Sequence, residues 1–272
     1  MNRYLSLMRP INAIMASLGT LIGGIVGLRS IHALEYPKLY LSMVAVFFVL
    51  MAGNIINDYF DLETDKINHP NRPLPSGKIS KNSAGFMAIA FFMIGIIISF
   101  FLANVLQILI VLIAIGMLVL YEWRAKAIGL IGNVIISFLV GLVFIFGSLT
   151  LRFSNVVILL ALMAMMANLS REIVKDVEDV GGDVNRVTLP KRIGKNLSLV
   201  ASSIFIIGAV SISPIPYLFY GWEGSYLAIV AISDVVFGLA AVYSFINPTK
   251  GQNYIKYAMI IGLMAFLVGG IL

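Results

Sequence analysis

The sequence predicts an all-α membrane protein, a bundle of about nine transmembrane helices, and three observations carry that expectation. Hydrophobic residues make up 60% of the 272 positions and charged residues only 12%, with a mean hydropathy of +0.99. That apolar content exceeds what a soluble domain can bury. Stretches of roughly the 20 residues that a bilayer requires recur near 11–28, 40–58, 84–102, 105–121, 128–149, 155–172, 197–215, 225–246 and 254–272. Finally, the basic residues fall between these stretches, and almost all of them between alternate pairs. The spans leave no room for a separate soluble domain, so 1–272 is expected to form a single membrane-embedded unit.

The first stretch follows Arg3 and Arg9 in the manner of a signal peptide, but its apolar run is long and lacks a small-residue cleavage site. It is therefore expected to persist as a helix. Gly19, Gly23 and Gly27 recur in it at four-residue spacing, which lets a second helix approach closely. Asn133 and Ser137 lie in the fifth stretch and Asn168 in the sixth; each can serve a helix-to-helix hydrogen bond or touch a substrate. Asp234 is the one carboxylate well inside a span, a functional candidate by its cost alone. The absence of Cys excludes disulfides, thiolate metal sites and cysteine nucleophiles, and His32 and His69 are too few for a multi-histidine metal centre.

With nine spans and the N-terminus inside, the cytoplasmic segments collect all of the 19 Lys and Arg residues except Arg29, Lys38 and Arg152. The positive-inside rule then orients the chain, with its C-terminus outside. A net charge of +6 confined to short loops between spans does not suit a nucleic-acid partner, and none is expected.

The second span ends in Asn54-Ile-Ile-Asn57-Asp58-Tyr-Phe-Asp61-Leu-Glu-Thr-Asp65, whose polar residues recur at three- and four-residue steps and would form one stripe on a helix. Adding 118 to positions 54, 58, 61 and 65 gives Glu172, Asp176, Asp179 and Asp183 at the end of the sixth span, an internal repeat with the same spacing. Gly181 and Gly182 are expected to end that helix, so that Asp183 reaches the site from a loop. The two clusters end parallel helices at the same membrane face and can share one cavity. Clustered carboxylates repel unless a cation lies between them, and hard oxygen ligands select Mg²⁺ bound together with phosphate oxygens. A charge run that merely solvated a helix end would have no reason to recur at an equal offset.

Each cluster precedes a basic, proline-punctuated loop, one running from His69 through Arg72 to Lys78 and the other from Arg186 through Lys191 and Arg192 to Lys195. A third loop on the same face, Tyr121-Glu-Trp-Arg124-Ala-Lys126, adds two cations and a phenol. All three can bring positive charge to phosphate oxygens.

These residues resemble the intramembrane UbiA-type prenyltransferase superfamily. Its first signature, Asn-Asp-x-x-Asp-x-x-x-Asp, stands complete as Asn57-Asp58-Tyr-Phe-Asp61-Leu-Glu-Thr-Asp65, and its second as Asp176-Val-Glu-Asp179-Val-Gly-Gly-Asp183. The Tyr/Lys loop of that family is similar to Tyr121 to Lys126. The resemblance covers nearly the whole chain and implies a helical bundle in which two aspartate-rich motifs face each other over a cytoplasm-facing cavity. The run Arg171-Glu-Ile-Val-Lys-Asp-Val-Glu-Asp-Val-Gly-Gly-Asp, followed by Thr188-Leu-Pro, is most similar to the archaeal digeranylgeranylglyceryl phosphate synthase branch.

The resemblance implies Mg²⁺-dependent transfer of a geranylgeranyl group from geranylgeranyl diphosphate to the free glycerol hydroxyl of geranylgeranylglyceryl phosphate, among membrane lipids. In that reading Asp61, Asp65, Asp179 and Asp183 hold the metal, with Asn57, Asp58 and Asp176 as further ligands, and Lys126, Arg72, Lys191 and Arg124 bind diphosphate oxygens. Tyr121 either steadies the allylic cation through its ring face or anchors the helix end at the interface. Asn54, Asn133 and Asn168 are candidate substrate contacts. An aromatic quinone precursor such as 4-hydroxybenzoate, haem, or a sugar phosphate would use the same chemistry with another acceptor. A secondary transporter would place its site near the bilayer midplane rather than at one face.

Overall fold

The computed structural model describes residues 3–181 and 187–272. Nine stretches among them are helical, long and apolar enough to cross a membrane. They are built from α1 (Pro10–Leu28), α2 (Pro37–Phe60), α3 (Lys81–Phe101), α4 (Val105–Trp123), α5 (Leu130–Leu151), α6 (Val156–Glu178), α7 (Lys195–Ile212), α8 (Gly224–Ile246) and α9 (Pro248–Ile271). A short helix, Ile215–Tyr220, extends the α7 span. No strand occurs among the described residues, and every expected span is present.

The helix starts follow local chemistry. Pro occupies the first helical turn of α1, α2 and α9, where its missing N–H costs no hydrogen bond. Ser80 accepts from the N–H of Ser83 at the start of α3, Asn104 from that of Leu106 at α4, and Asn247 from that of Lys250 at α9. Each side chain satisfies one of the donors that a helix start leaves open. Large apolar side chains such as Phe86, Ile89, Phe101, Ile204 and Ile207 stand more than half exposed, the signature of a surface facing lipid.

Adding 118 to the bounds of α2 to α5 (37–60, 81–101, 105–123 and 130–151) gives 155–178, 199–219, 223–241 and 248–269, which closely track α6 to α9. The packing repeats as well. Helix α2 lies against α3 and α5 as α6 lies against α7 and α9, and the pairs α4/α5 and α8/α9 correspond. Helix α1 stands outside the repeat and joins the halves, packing on α2, α5 and α9.

The glycine stripe of α1 meets α5 nearly backbone to backbone. A Cβ at Gly23 would lie 2.1 Å from the carbonyl oxygen of Phe144, and one at Gly147 would lie 1.9 Å from that of Thr20. Glycine is the only residue that permits this crossing. The close approach seats Phe144 beside Phe266 of α9, edge to face at 6.3 Å, in the core between the halves.

Candidate active site

Helix α2 ends at Phe60, and Asp61 is its C-cap with φ −80° and ψ 2°. The chain bends there and resumes as a short helix, Leu62–Asn68, that carries Asp65. The expected single stripe from Asn54 to Asp65 is thus broken at Asp61. The cause is its ψ near 0°, in the bridge region between helix and strand. Helix α6 ends in the same way: Glu178 is its last residue, and Asp179 caps it with φ −85° and ψ 0°. The repeat therefore extends to backbone conformation at the central aspartate of each motif. A 3₁₀ turn, Asp179–Gly181, follows. Asp183 and Arg186 lie outside the described residues.

Each carboxylate of the first motif meets a cation from a different segment. Asp58, buried, pairs with Arg9; Asp61 pairs with Lys126; Asp65, also buried, accepts from Arg72 at 2.6 Å, and Arg72 lies 3.9 Å from Asp58. Asn57 ties these pairs together. Its Oδ1 accepts from Arg9 at 3.4 Å and its Nδ2 donates to Glu122 at 2.7 Å, while the second oxygen of Glu122 accepts from Lys126 at 3.0 Å. Carboxylates three and four residues apart on one helix end would repel; interleaved cations turn that repulsion into attraction.

Spacing did not reveal Arg9 or Glu122. Arg9 is 49 residues from Asp58, and its only mark is its place just before Pro10. It adopts φ 47°, left-handed and uncommon for a residue with a Cβ, and this turn joins the helix Arg3–Met8 to α1. Glu122 stands four residues before Lys126, a pairing distance that the sequence does display.

In the second motif Asp176, buried, accepts from Asn133 Nδ2 of α5 at 2.7 Å. Glu172 accepts from Arg171, and from Lys175 at 3.5 Å. Asp179 is exposed, and Lys191 is exposed on the short helix Leu189–Ile193. Of the two remaining loop residues, Tyr121 turns its ring toward Lys126 Nζ at 5.9 Å, whereas exposed Arg124 lies over the Trp123 ring at 4.8 Å.

One backbone contact connects the loops around the motifs. The N–H of Val187 donates to the carbonyl of Ala127 at 3.1 Å. Gly129 permits the approach with φ 58°, and a Cβ there would stand 2.5 Å from the Val187 carbonyl oxygen. Gly129→Ala combines left-handed strain with that clash, each of order 1–3 kcal/mol. It is expected to accelerate tryptic cleavage in the loop containing Arg124 and Lys126 by on the order of tenfold, read by timed digestion of the purified protein.

Beneath the motifs lies a cavity of about 610 Å³ lined by Asn54 of α2, Asn168 and Arg171 of α6, and apolar side chains such as Phe144, Phe146 and Leu263. Residues from both motif helices thus face one space. The amide groups of Asn54, Asn133 and Asn168 also serve between segments: Asn54 donates to the Met8 carbonyl at 2.9 Å, Asn133 to Asp176, and Asn168 to Ser137 at 3.1 Å. Asp234 lines the same cavity and accepts from Ser213 Oγ at 2.6 Å.

Among the described residues no three His, Cys, Asp or Glu side chains converge as a ligand group, because cations stand between the first-motif carboxylates. The donor set itself, several hard carboxylate oxygens with Arg and Lys beside them at the ends of two helices that line one cavity, suits a divalent cation that shares its coordination with phosphate oxygens.

The UbiA prenyltransferase family pattern matches residues 16–267. Among curated relatives, digeranylgeranylglyceryl phosphate synthase of Methanopyrus kandleri is 38% identical over 273 residues, covering 98% of each chain. The enzyme of the same name from Methanococcus aeolicus is 39% identical over 276 residues, covering 99% of this chain and 98% of its own. A solved structure described in connection with digeranylgeranylglyceryl phosphate synthase superposes with a TM-score of 0.86 at 37% identity, covering 99% of this chain and 98% of its own. A UbiA homologue from Archaeoglobus fulgidus bound to GPP and Mg²⁺ has the same fold, with a TM-score of 0.75 at 20% identity and coverage of 98% of both chains. With paired aspartate motifs above a cavity inside a nine-span bundle, and with these matches along its length, the chain belongs to the UbiA prenyltransferase family.

Proposed function

We propose that this protein transfers a geranylgeranyl group from geranylgeranyl diphosphate to the free hydroxyl of geranylgeranylglyceryl phosphate, releasing diphosphate and forming the second ether bond of an archaeal lipid. The observation that carries this reading is the set of Asp58, Asp61 and Asp65 interleaved with Arg9, Lys126 and Arg72, which begins one helical turn beyond Asn54, a residue that lines a cavity with mainly apolar walls. Full-length identity to synthases of that name supports the choice of acceptor. The cavity volume of about 610 Å³ lies within the roughly 300–1,000 Å³ range of small-molecule binding pockets.

In this mechanism Asp61, Asp65, Asp179 and Asp183, with Asn57, Asp58 and Asp176 as further ligands, would hold Mg²⁺, which when bound would supply positive charge to the departing diphosphate. Arg72, Lys126 and Arg9 shift from their carboxylates to diphosphate oxygens, with Lys191 and Arg124 available from the adjoining segments. The allylic C1–O bond breaks, the electron pair leaves with diphosphate, and the delocalised C1 cation is captured by the glycerol oxygen. The hydroxyl proton passes to a motif carboxylate or to the departing diphosphate. Tyr121, whose ring already faces a cation, is placed to steady positive charge. Apolar walls keep water from the cation, which water would capture as an alcohol. The whole of 1–272 acts as one catalytic unit, with the motif end toward the cytoplasm and the C-terminus outside, an orientation that the distribution of basic loops supports.

The test is product formation by purified protein with Mg²⁺ and labelled geranylgeranyl diphosphate, offered geranylgeranylglyceryl phosphate or 4-hydroxybenzoate in parallel and resolved by mass. Doubly prenylated glycerol phosphate is the expected product, and chelation by EDTA is expected to abolish it. An aromatic product alone would replace the acceptor, and transfer undiminished by EDTA would remove the metal from the mechanism.

A further inference from the structure

The cavity wall carries two cations that the mechanism does not use, Arg171 of α6 and Lys256 of α9. They stand at nearly the same depth. Glu178 accepts from Thr249 Oγ1 at 2.7 Å and from Gln252 Nε2 at 3.3 Å, which aligns the motif end of α6 with the start of α9. Arg171 lies seven residues before Glu178, and Lys256 four residues beyond Gln252. At a rise of 1.5 Å per residue, both sit roughly 6–10 Å inside that end.

Local pairing leaves hydrogen-bonding capacity open on both cations. Lys256 makes no ion pair or hydrogen bond through its side chain among the described residues. Arg171 shares one nitrogen with Glu172, but its Nε–H is buried without an acceptor. A buried donor left open costs free energy that a ligand oxygen would recover. Nor does the internal repeat call for them: subtracting 118 from 171 and 256 gives Gly53 and Phe138, both without charge. Arg9, Arg72 and Lys126 are held by the first-motif carboxylates, whereas Arg171 and Lys256 stand on helices of the second half and touch none of them.

We propose that Arg171 and Lys256 form a separate anion subsite that holds the phosphomonoester of the lipid acceptor, presenting its free hydroxyl to the donor carbon. The inference rests on the reading above that the acceptor is a phosphorylated glycerol lipid. An amphiphile whose chain lies in the cavity needs its headgroup charge met at the wall, inside the membrane end rather than in solvent. An Arg fork and a Lys point charge are the pairing that phosphate recognition uses.

The experiment compares geranylgeranylglyceryl phosphate with geranylgeranylglycerol, the same alcohol without phosphate, as acceptors for the full-length wild type, Lys256→Met, Arg171→Lys and Arg171→Met. Lys256 is exposed, so its replacement spares the fold, and Arg171→Lys retains the charge while losing the fork. The substitutions to Met are expected to raise the KM for the phosphorylated acceptor on the order of 10- to 100-fold. They are also expected to erase the preference over the unphosphorylated alcohol, with the donor KM moved by less than about threefold. An unmoved acceptor KM in both Met variants, or an equal rise for both acceptors, overturns the subsite while leaving the proposed reaction standing. Wild-type transfer to neither acceptor overturns the acceptor assignment and the subsite together.

Discussion

Asp61→Ala and Asp179→Ala are each expected to lower kcat by on the order of 10²- to 10³-fold, the loss that follows removal of one group aimed at developing charge. The two residues cap α2 and α6 with nearly the same dihedrals, φ −80° and ψ 2° against φ −85° and ψ 0°. Neither carboxylate is buried, and Asp61 makes its ion pair with Lys126, which retains Glu122 when Asp61 is gone. The fold is therefore expected to survive, so the loss belongs to chemistry. Initial rates at saturating Mg²⁺, alongside thermal midpoints, check this. Variants that keep wild-type kcat would show that the caps are structural devices of a duplicated helix end and nothing more.

The largest effect on stability is expected at Gly147. A valine there would drive its side chain into the Thr20 carbonyl, and the opposing Gly23 leaves no slack because its own missing Cβ already sits against Phe144. Overpacking typically costs about 1–3 kcal/mol and a backbone crossing this close stands at the upper end, so the thermal midpoint in detergent is expected to fall by on the order of 10 °C. Gly116→Ala provides the contrast. A Cβ at Gly116 meets nothing within 4 Å, so that change should be neutral or stabilise α4 by up to about 1 kcal/mol. Equal midpoints for Gly147→Val and wild type would mean that α1 and α5 separate without consequence.

The spans were legible because a bilayer imposes length and composition together, and the motifs because a doubled spacing is hard to produce by chance. The glycine stripe of α1 likewise announced its close crossing. Helix ends were less legible. Hydropathy begins the last span near 254, yet α9 starts at Pro248, capped by Asn247, and its polar first turns meet Glu178 instead of lipid. The bend at Asp61 was hidden because helical spacing continues through it. Arg9 and Lys256 were hidden for a different reason: both were visible as loop or near-loop cations, but their roles depend on which helices are neighbours. Periodicity reports a residue's face and leaves its partner undetermined.

The left-handed turn at Arg9 has a practical meaning for handling this protein. Arg9 grips Asp58, Met8 offers its carbonyl to Asn54, and buried Leu7 packs in the cluster with Ile55 and Leu74. The leading residues are stitched to the end of α2 that carries the first aspartate motif rather than trailing from it. Trimming them to tidy an expression vector would strip contacts from the proposed site, and a tightly fused partner at that end would pull on the same thread, so affinity handles belong at the opposite terminus.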